Sequence, residues 1–449
     1  MKHFLTSLTA LFLTTLLNAQ NGTGEPSVMF HSNNNEYNNS HLQKYKPLGD
    51  VKWEFKTGGK VFSSPAVLND IAVVGSEDKN LYAIDIKTGR QKWKFTTGGA
   101  VHSSPAIVNN TVYFGSFDGY FYALDLATGQ QKWKFKTGGE KRIGDTSYWG
   151  MKPSGMYMED PWDCFLSSPI VDNSSKDPIV YFGSSDGNLY AVNAKDGSFL
   201  WKFKAKSSIH TSPALYKGIL YFGSWDTYFY AVNAKTGKEL WKFKTGEQVA
   251  MSGIQASAIV EKGIVYFGAR DAHLYALDAY NGNLIWKYDA RGSWIISSAV
   301  IKKGVLYVGT SDTYLLLALD IKTGKEKYRF KTNGYVFGTP AIVGNTAYFG
   351  DFTGKMYALD LTSGGKRWNS ISTEARNQNA ASILKNDTLN FMFAAKGNDL
   401  SSYPANIKVM DDFYTLGSIV SSPVVKNNVI YFGSADGYLY ALNLTETGN

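Results

Sequence analysis

Cysteine is nearly missing from this chain: among 449 residues only Cys164 is one. An internal disulfide is therefore excluded, and so is a CxxCH haem attachment. A lone cysteine among aromatics, with no partnered base, reads as a small buried apolar residue rather than a nucleophile. Long apolar runs are scarce too. One covers residues 4–17, behind the basic start Lys2-His3 and ahead of Asn18-Ala19-Gln20. That is the build of a secretory leader, too short and wrongly flanked for a stable transmembrane helix. We expect residues 1–20 to be a signal peptide cleaved within residues 19–21, and the mature chain to be periplasmic or extracellular. No cysteine stands at that cleavage point, so a lipid anchor there is not expected. No later run reaches membrane-spanning length. A WD dipeptide repeated from unit to unit is also absent, which excludes a WD40 array.

Glycine and aromatics are abundant: 44 Gly, 29 Tyr, 26 Phe and 11 Trp. They fall in a unit repeated about every 40 residues, clear in SSPAIVNNTVYFGSFDGYFYALDLATGQQKWKF over residues 103–135. A period of that size is the period of a propeller blade. Each unit reads as four short strands. Strand A is SSPAI-like and B is VYFGS-like; an SxDG turn follows, then C (LYALD-like), a Thr-Gly turn, and D (KWKF-like). Along D, Trp93 and Phe95 alternate with Lys92 and Lys94, the period of a half-buried strand.

The expected fold is all-β: a single β-propeller of four-stranded blades, following a polar lead-in at 21–48 and spanning 49–449. The chain ends on a strand C without a D and begins, at 49–55, on a D without A, B or C. Closure by the N-terminal D joining the C-terminal A–C follows, which removes the open edge. The literal repeat count is nine. A degraded ninth unit in 369–420 would use Ala380–Leu384 and Phe391–Ala395 as strands A and B, with Met410–Pro423 aligning without gaps on Lys92–Pro105. Propellers usually have four to eight blades, so eight is the expected number, with this segment a decorated connection.

The pattern Ala-x-Asp-x-x-x-Gly-x-x-x-Trp, as in Ala83, Asp85, Gly89 and Trp93, or Ala123, Asp125, Gly129 and Trp133, resembles the tryptophan-docking motif of the pyrroloquinoline-quinone (PQQ) type propeller repeats. The resemblance covers nearly all of 51–443. It implies a structural role, packing between blades, for Trp53, Trp93, Trp133, Trp201, Trp241, Trp286 and Trp368. Members of the family include quinoprotein alcohol dehydrogenases, which bind PQQ and calcium, and the non-catalytic lipoprotein of the outer-membrane β-barrel assembly machine. PQQ and calcium are thus raised here by resemblance only. The dehydrogenases carry a vicinal Cys-Cys disulfide that a chain with one cysteine lacks, and their calcium and catalytic carboxylates cannot be matched to positions here. No catalytic residue and no metal ligand is assigned.

The SxDG-type aspartates, Asp78, Asp118, Asp186, Asp226, Asp271, Asp312 and Asp436, read as turn residues rather than a cation ring. The net charge of +8 is spread over D strands, including Lys132, Lys134, Lys202 and Lys204, where it protects outer edges. A nucleic-acid partner is not expected, and the chain is expected to be a monomer.

What remains is what departs from the repeat. Residues 139–165 are inserted in a D-to-A connection, on the face that also carries the SxDG turns. Aromatic and Met-rich loops on a rigid scaffold are often binding loops. The candidate binding face is Trp149, Tyr157 and Trp162 from this insertion, with His102, His210, Trp294 and Phe337 entering A strands, and Trp225 and Arg270 in turns. Two histidines at equivalent positions could meet across the channel. The expected function is an exported, non-catalytic binding or scaffold propeller at the bacterial cell envelope, engaging an envelope protein or a small ligand there. The alternatives are an atypical PQQ-dependent dehydrogenase of alcohols or sugars, and a polysaccharide-binding propeller.

Overall fold

The computed structural model describes residues 45–246 and 252–445. The expected leader and most of the lead-in lie outside them. Eight four-stranded antiparallel sheets form a closed ring of blades. Blade 1 shows the plan: strands A (Ala66–Leu68), B (Ile71–Gly75), C (Asn80–Asp85) and D (Gln91–Thr96) pair in that order. On D, Trp93 is buried and its lysine neighbours are exposed. Blade 8 is composite: Leu48–Lys56 pairs antiparallel with Tyr438–Leu444, placing Trp53 opposite Ala441 and Phe55 opposite Leu439. Among the described residues no helix is long and apolar enough to cross a membrane.

The docking motif has a direct physical reading. The Trp93 Nε1–H donates to the Leu126 carbonyl of the next blade at 2.8 Å. Its ring lies on Gly129, where a Cβ would come within 2.6 Å of it. Gly129 also has φ +73, a left-handed turn that glycine adopts at no steric cost. The glycine of one motif is therefore the floor for the tryptophan of the motif before it. Trp53, Trp133, Trp201, Trp241 and Trp286 donate in the same way to Ile86, Ala194, Ala234, Ala279 and Ile321.

The serines of the SSP strand carry a second tie. The Ser64 amide donates to the Ser104 hydroxyl, Ser104 to Ser168, Ser168 to Ser212, Ser212 to Ser257 and Ser257 to Ser298. Thr339 donates to Ser422, and Ser422 closes back on Ser64 at 2.8 Å.

One expectation is corrected. Trp368 does not dock. Blades 1 to 6 carry a register shift beside the motif alanine that sets their Trp, or Tyr328 in blade 6, opposite it. Blade 7 has none, so Trp368 faces Leu359 and Asn369 faces Ala358. A one-residue slip swaps the faces of a strand. Trp368 is left 48% exposed, against Phe330 and Tyr357. Asn369 takes the inward place and clamps the closing strand, accepting from Leu48 N at 3.0 Å and donating to Leu48 O at 2.9 Å.

The ring has eight blades, and the segment that the literal repeat count offers as a ninth is a helical connection. Helices α1 (Glu374–Ile383), α2 (Phe391–Ala395) and α3 (Tyr403–Tyr414) occupy it. Thr373 caps α1 by accepting from Arg376 N, and Asn390 caps α2 by accepting from Phe393 N. On α3 the buried residues Asn406, Val409, Met410, Phe413 and Tyr414 recur at helical spacing. The alignment of Met410–Pro423 with a D strand holds only in its second half, where Ser421 Oγ joins the Gly433 backbone.

Candidate functional site

Strand order puts D-to-A connections and B-to-C turns on one face of the disc. The two longest D-to-A connections, the 139–165 insertion and the helical segment, meet over that face. Lys152 N donates to Ser401 O at 2.8 Å and Tyr403 N to Lys152 O at 2.9 Å. The Tyr403 hydroxyl reaches Glu159 O, and the Cys164 Sγ lies 3.0 Å from the Tyr414 hydroxyl. Trp162, Phe337, Phe352, Met410 and Phe413 share one apolar cluster beneath them. The insertion is therefore part of a packed cap rather than a detachable loop.

The cap is pinned by buried charges. Arg270 is 1% exposed, and its guanidinium is sandwiched between the rings of Trp225 and Trp294 at 4.5 and 4.4 Å. It pairs with Asp160 at 2.5 Å and donates twice to the Gln255 amide oxygen. Gln255 in turn donates to Trp162 O, while Asp160 accepts from Tyr148 OH and Trp162 N. Planar stacking with forked donation is what a guanidinium does best.

His210 forms the second pin. Its Nδ1 lies 2.9 Å from Asp163 Oδ1, and its Nε2 lies 2.8 Å from Ser185 Oγ. These are the contacts of a Ser-His-Asp triad, but the proton runs the other way. Ser185 Oγ donates its single proton to Lys141 O at 2.8 Å, so it accepts from His210. Both ring nitrogens then donate, which requires the imidazolium. Burial works against that charge, but the charge and hydrogen bond of Asp163, with the charge of Glu140, raise the pKa above its ordinary value. A hydroxyl already spent on a carbonyl, beside a protonated base, is not an activated nucleophile.

His102 does not join His210. It is buried between Phe62 and Phe117, with Glu77 3.5 Å away. Burial depresses its pKa. Trp162, Trp225, Trp294, Arg270, His210 and Phe337 thus converge on the cap, while Trp149 and Tyr157 stand 46% and 49% exposed on it. Asp160, Asp163 and Ser185 escaped sequence reasoning. Two carboxylates inside the aromatic run DPWDCF were the available signal, because buried carboxylates need partners.

The residues do not fit the quinone and calcium raised by the resemblance. The one cysteine is buried against Tyr414 with no neighbour for a vicinal pair. Among the described residues no three His, Cys, Asp or Glu groups stand together to hold a metal. Apart from Asp312, the repeated turn aspartates are engaged by backbone amides and a tyrosine hydroxyl: Asp118, for example, accepts from Gly98 N, Tyr120 N and Tyr122 OH.

Fold and cap together define an eight-bladed β-propeller of the PQQ-like repeat class. The family model described as outer membrane protein assembly factor BamB matches residues 39–148, 145–293 and 252–447, and the chain belongs to that family. No curated protein sequence matches it. Similar solved structures include BamB from Moraxella catarrhalis, at 15% identity and TM-score 0.62, covering 88% of this chain and 99% of that one. A europium-containing methanol dehydrogenase is similar at 14% identity and TM-score 0.63, covering 88% and 93%. The quinohemoprotein alcohol dehydrogenase from Comamonas testosteroni follows at 15% and 0.60, covering 90% and 78%. At these identities the likeness is one of fold.

Proposed function

We propose that this chain is a non-catalytic binding or scaffold propeller of the cell envelope, engaging its partner through the capped face. The observation that carries this reading is the state of the cap's ionisable groups. Arg270, Asp160, His210 and Asp163 are consumed in holding two insertions over the channel. None is presented to a substrate. What the face does present is apolar: Trp149, Tyr157 and, on α2, Met392 and Phe393 are exposed. Exposed aromatic and methionine side chains on a rigid support are the material of binding surfaces. The BamB family model and the leader-like N-terminus support an envelope setting.

The test has two arms. The purified chain given PQQ and Ca²⁺ is expected to show no bound quinone absorbance and no dye-linked alcohol oxidation. A photo-crosslinking residue at Tyr157 or Phe393 is expected to give a defined adduct in envelope extract. The same residue at Tyr280, exposed on a C-to-D turn of the opposite face, is expected to give none. Quinone uptake with alcohol oxidation, or adducts equal at both faces, would overturn the reading.

A further inference from the structure

Between the insertion, α3 and blades 6 and 7 lies a cavity of about 260 Å³. We propose that it binds a small organic cation, an alkylated ammonium on an apolar body. The proposal rests on the capped face being a binding face, but not on a protein partner. The walls are aromatic: Tyr148 and Trp149 are stacked at 4.6 Å, Trp294 lies 6.0 Å from Trp149, and Tyr335 lines the cavity beside them. Ring faces attract cations, most strongly when water is excluded. Trp294 already stacks on one cation, Arg270, whose charge Asp160 neutralises.

Among the described residues the only charged side chain lining this cavity is Asp312, and the repeat explains why it is free. In blade 1 the turn between Gly75 and Leu81 encloses 76–80, and its aspartate, Asp78, accepts from Gly58 N and Tyr82 OH. In blade 6 the turn between Gly309 and Leu316 encloses 310–315, one residue more. The tyrosine position holds Leu317. Asp312 has therefore lost both the turn register and the tyrosine. Among the described residues it accepts only from Ser311 Oγ, at 2.6 Å, and no basic side chain pairs with it. A sugar would need several free donors, whereas the Tyr148 hydroxyl is spent on Asp160 and the Asn406 amide on Leu400 O and Ser402 O. One carboxylate among ring faces matches a cation instead.

Choline serves as the probe, with 3,3-dimethylbutan-1-ol as its uncharged carbon isostere, in calorimetry and tryptophan fluorescence on the full chain. Choline is expected to bind saturably and the isostere between about 3- and 30-fold more weakly. Asp312→Asn and Trp149→Ala are each expected to weaken choline by at least about 3-fold. Both positions are substantially exposed, and circular dichroism checks that each variant folds. If one does not, the other variant and the wild-type ratio decide. Absence of saturable choline binding, equal binding of the isostere, or wild-type affinity in both variants would overturn the proposal. Those outcomes, alongside face-specific crosslinking from Tyr157, would leave the docking reading standing.

Discussion

The two buried histidines of the capped face sit in opposite electrostatic circumstances. Burial lowers the folded pKa of His210, but the carboxylates Asp163 and Glu140 together raise it above its ordinary value. Its contribution to stability is fully present below the unfolded value of about 6.5 and is lost as pH rises through the folded value. The folded pKa of His102 is lowered by burial. The unfolded chain then takes the proton first, and stability falls as pH drops below about 6.5. We therefore expect the melting temperature of His210→Gln to lie further below wild type at pH 5.5 than at pH 8.5. For His102→Phe the difference from wild type should shift in the variant's favour on acidification. Thermal melts at the two pH values check both, and a pH-independent gap for His210→Gln would refute the imidazolium.

At the scale of elements, the same motif has two outcomes that sequence spacing cannot tell apart. Trp93 is buried, bonded to Leu126 O and seated on Gly129. Trp93→Ala is expected to cost about 3–5 kcal/mol in denaturant unfolding. Trp368 sits at identical spacing from its alanine, but the missing register shift puts it outside. Trp368→Ala should cost only about 0.5–1.5 kcal/mol, the value of its aromatic contacts. Equal costs would show that the slip is not what distinguishes them. The contrast marks what is legible in the chain. Strands, turns and blade order follow from period-2 alternation and from Asp and Gly at fixed offsets, all local signals. The register of one strand against its neighbour is not local. Nor are the partners of Asp160, Asp163 and Arg270, which come from connections and turns far apart in sequence. Helix α3 was hidden for a different reason. Its apolar residues at 409, 410, 413 and 414 spell a helix face, yet the adjoining SIVSSP is true repeat, and the ungapped alignment carried a strand reading back across that border.

At the scale of the whole molecule, stability hangs on a ring with one seam. Blade 8 takes its outer strand, Leu48–Lys56, from one end of the chain and its inner three from the other. The residues before that strand reinforce the join: Tyr348 OH donates to Lys46 O at 2.9 Å, and Arg367 stacks on Tyr45 at 4.4 Å. Without the strand, Tyr438–Leu444 becomes an open edge, and an open edge templates aggregation. Deleting residues 48–56 is expected to abolish the cooperative melt and to drive the protein into aggregates. The strand's covalent attachment at the N-terminus should not matter, since an antiparallel partner can arrive from either end. A permuted chain that begins at residue 57 and carries 45–56 after Thr445 through a flexible linker should therefore recover the cooperative transition. A deletion that melts like the intact chain would mean that seven blades and a three-stranded eighth close without the seam. A permutant that stays aggregated while the intact chain folds would show that entry of the strand from the N-terminus is itself required.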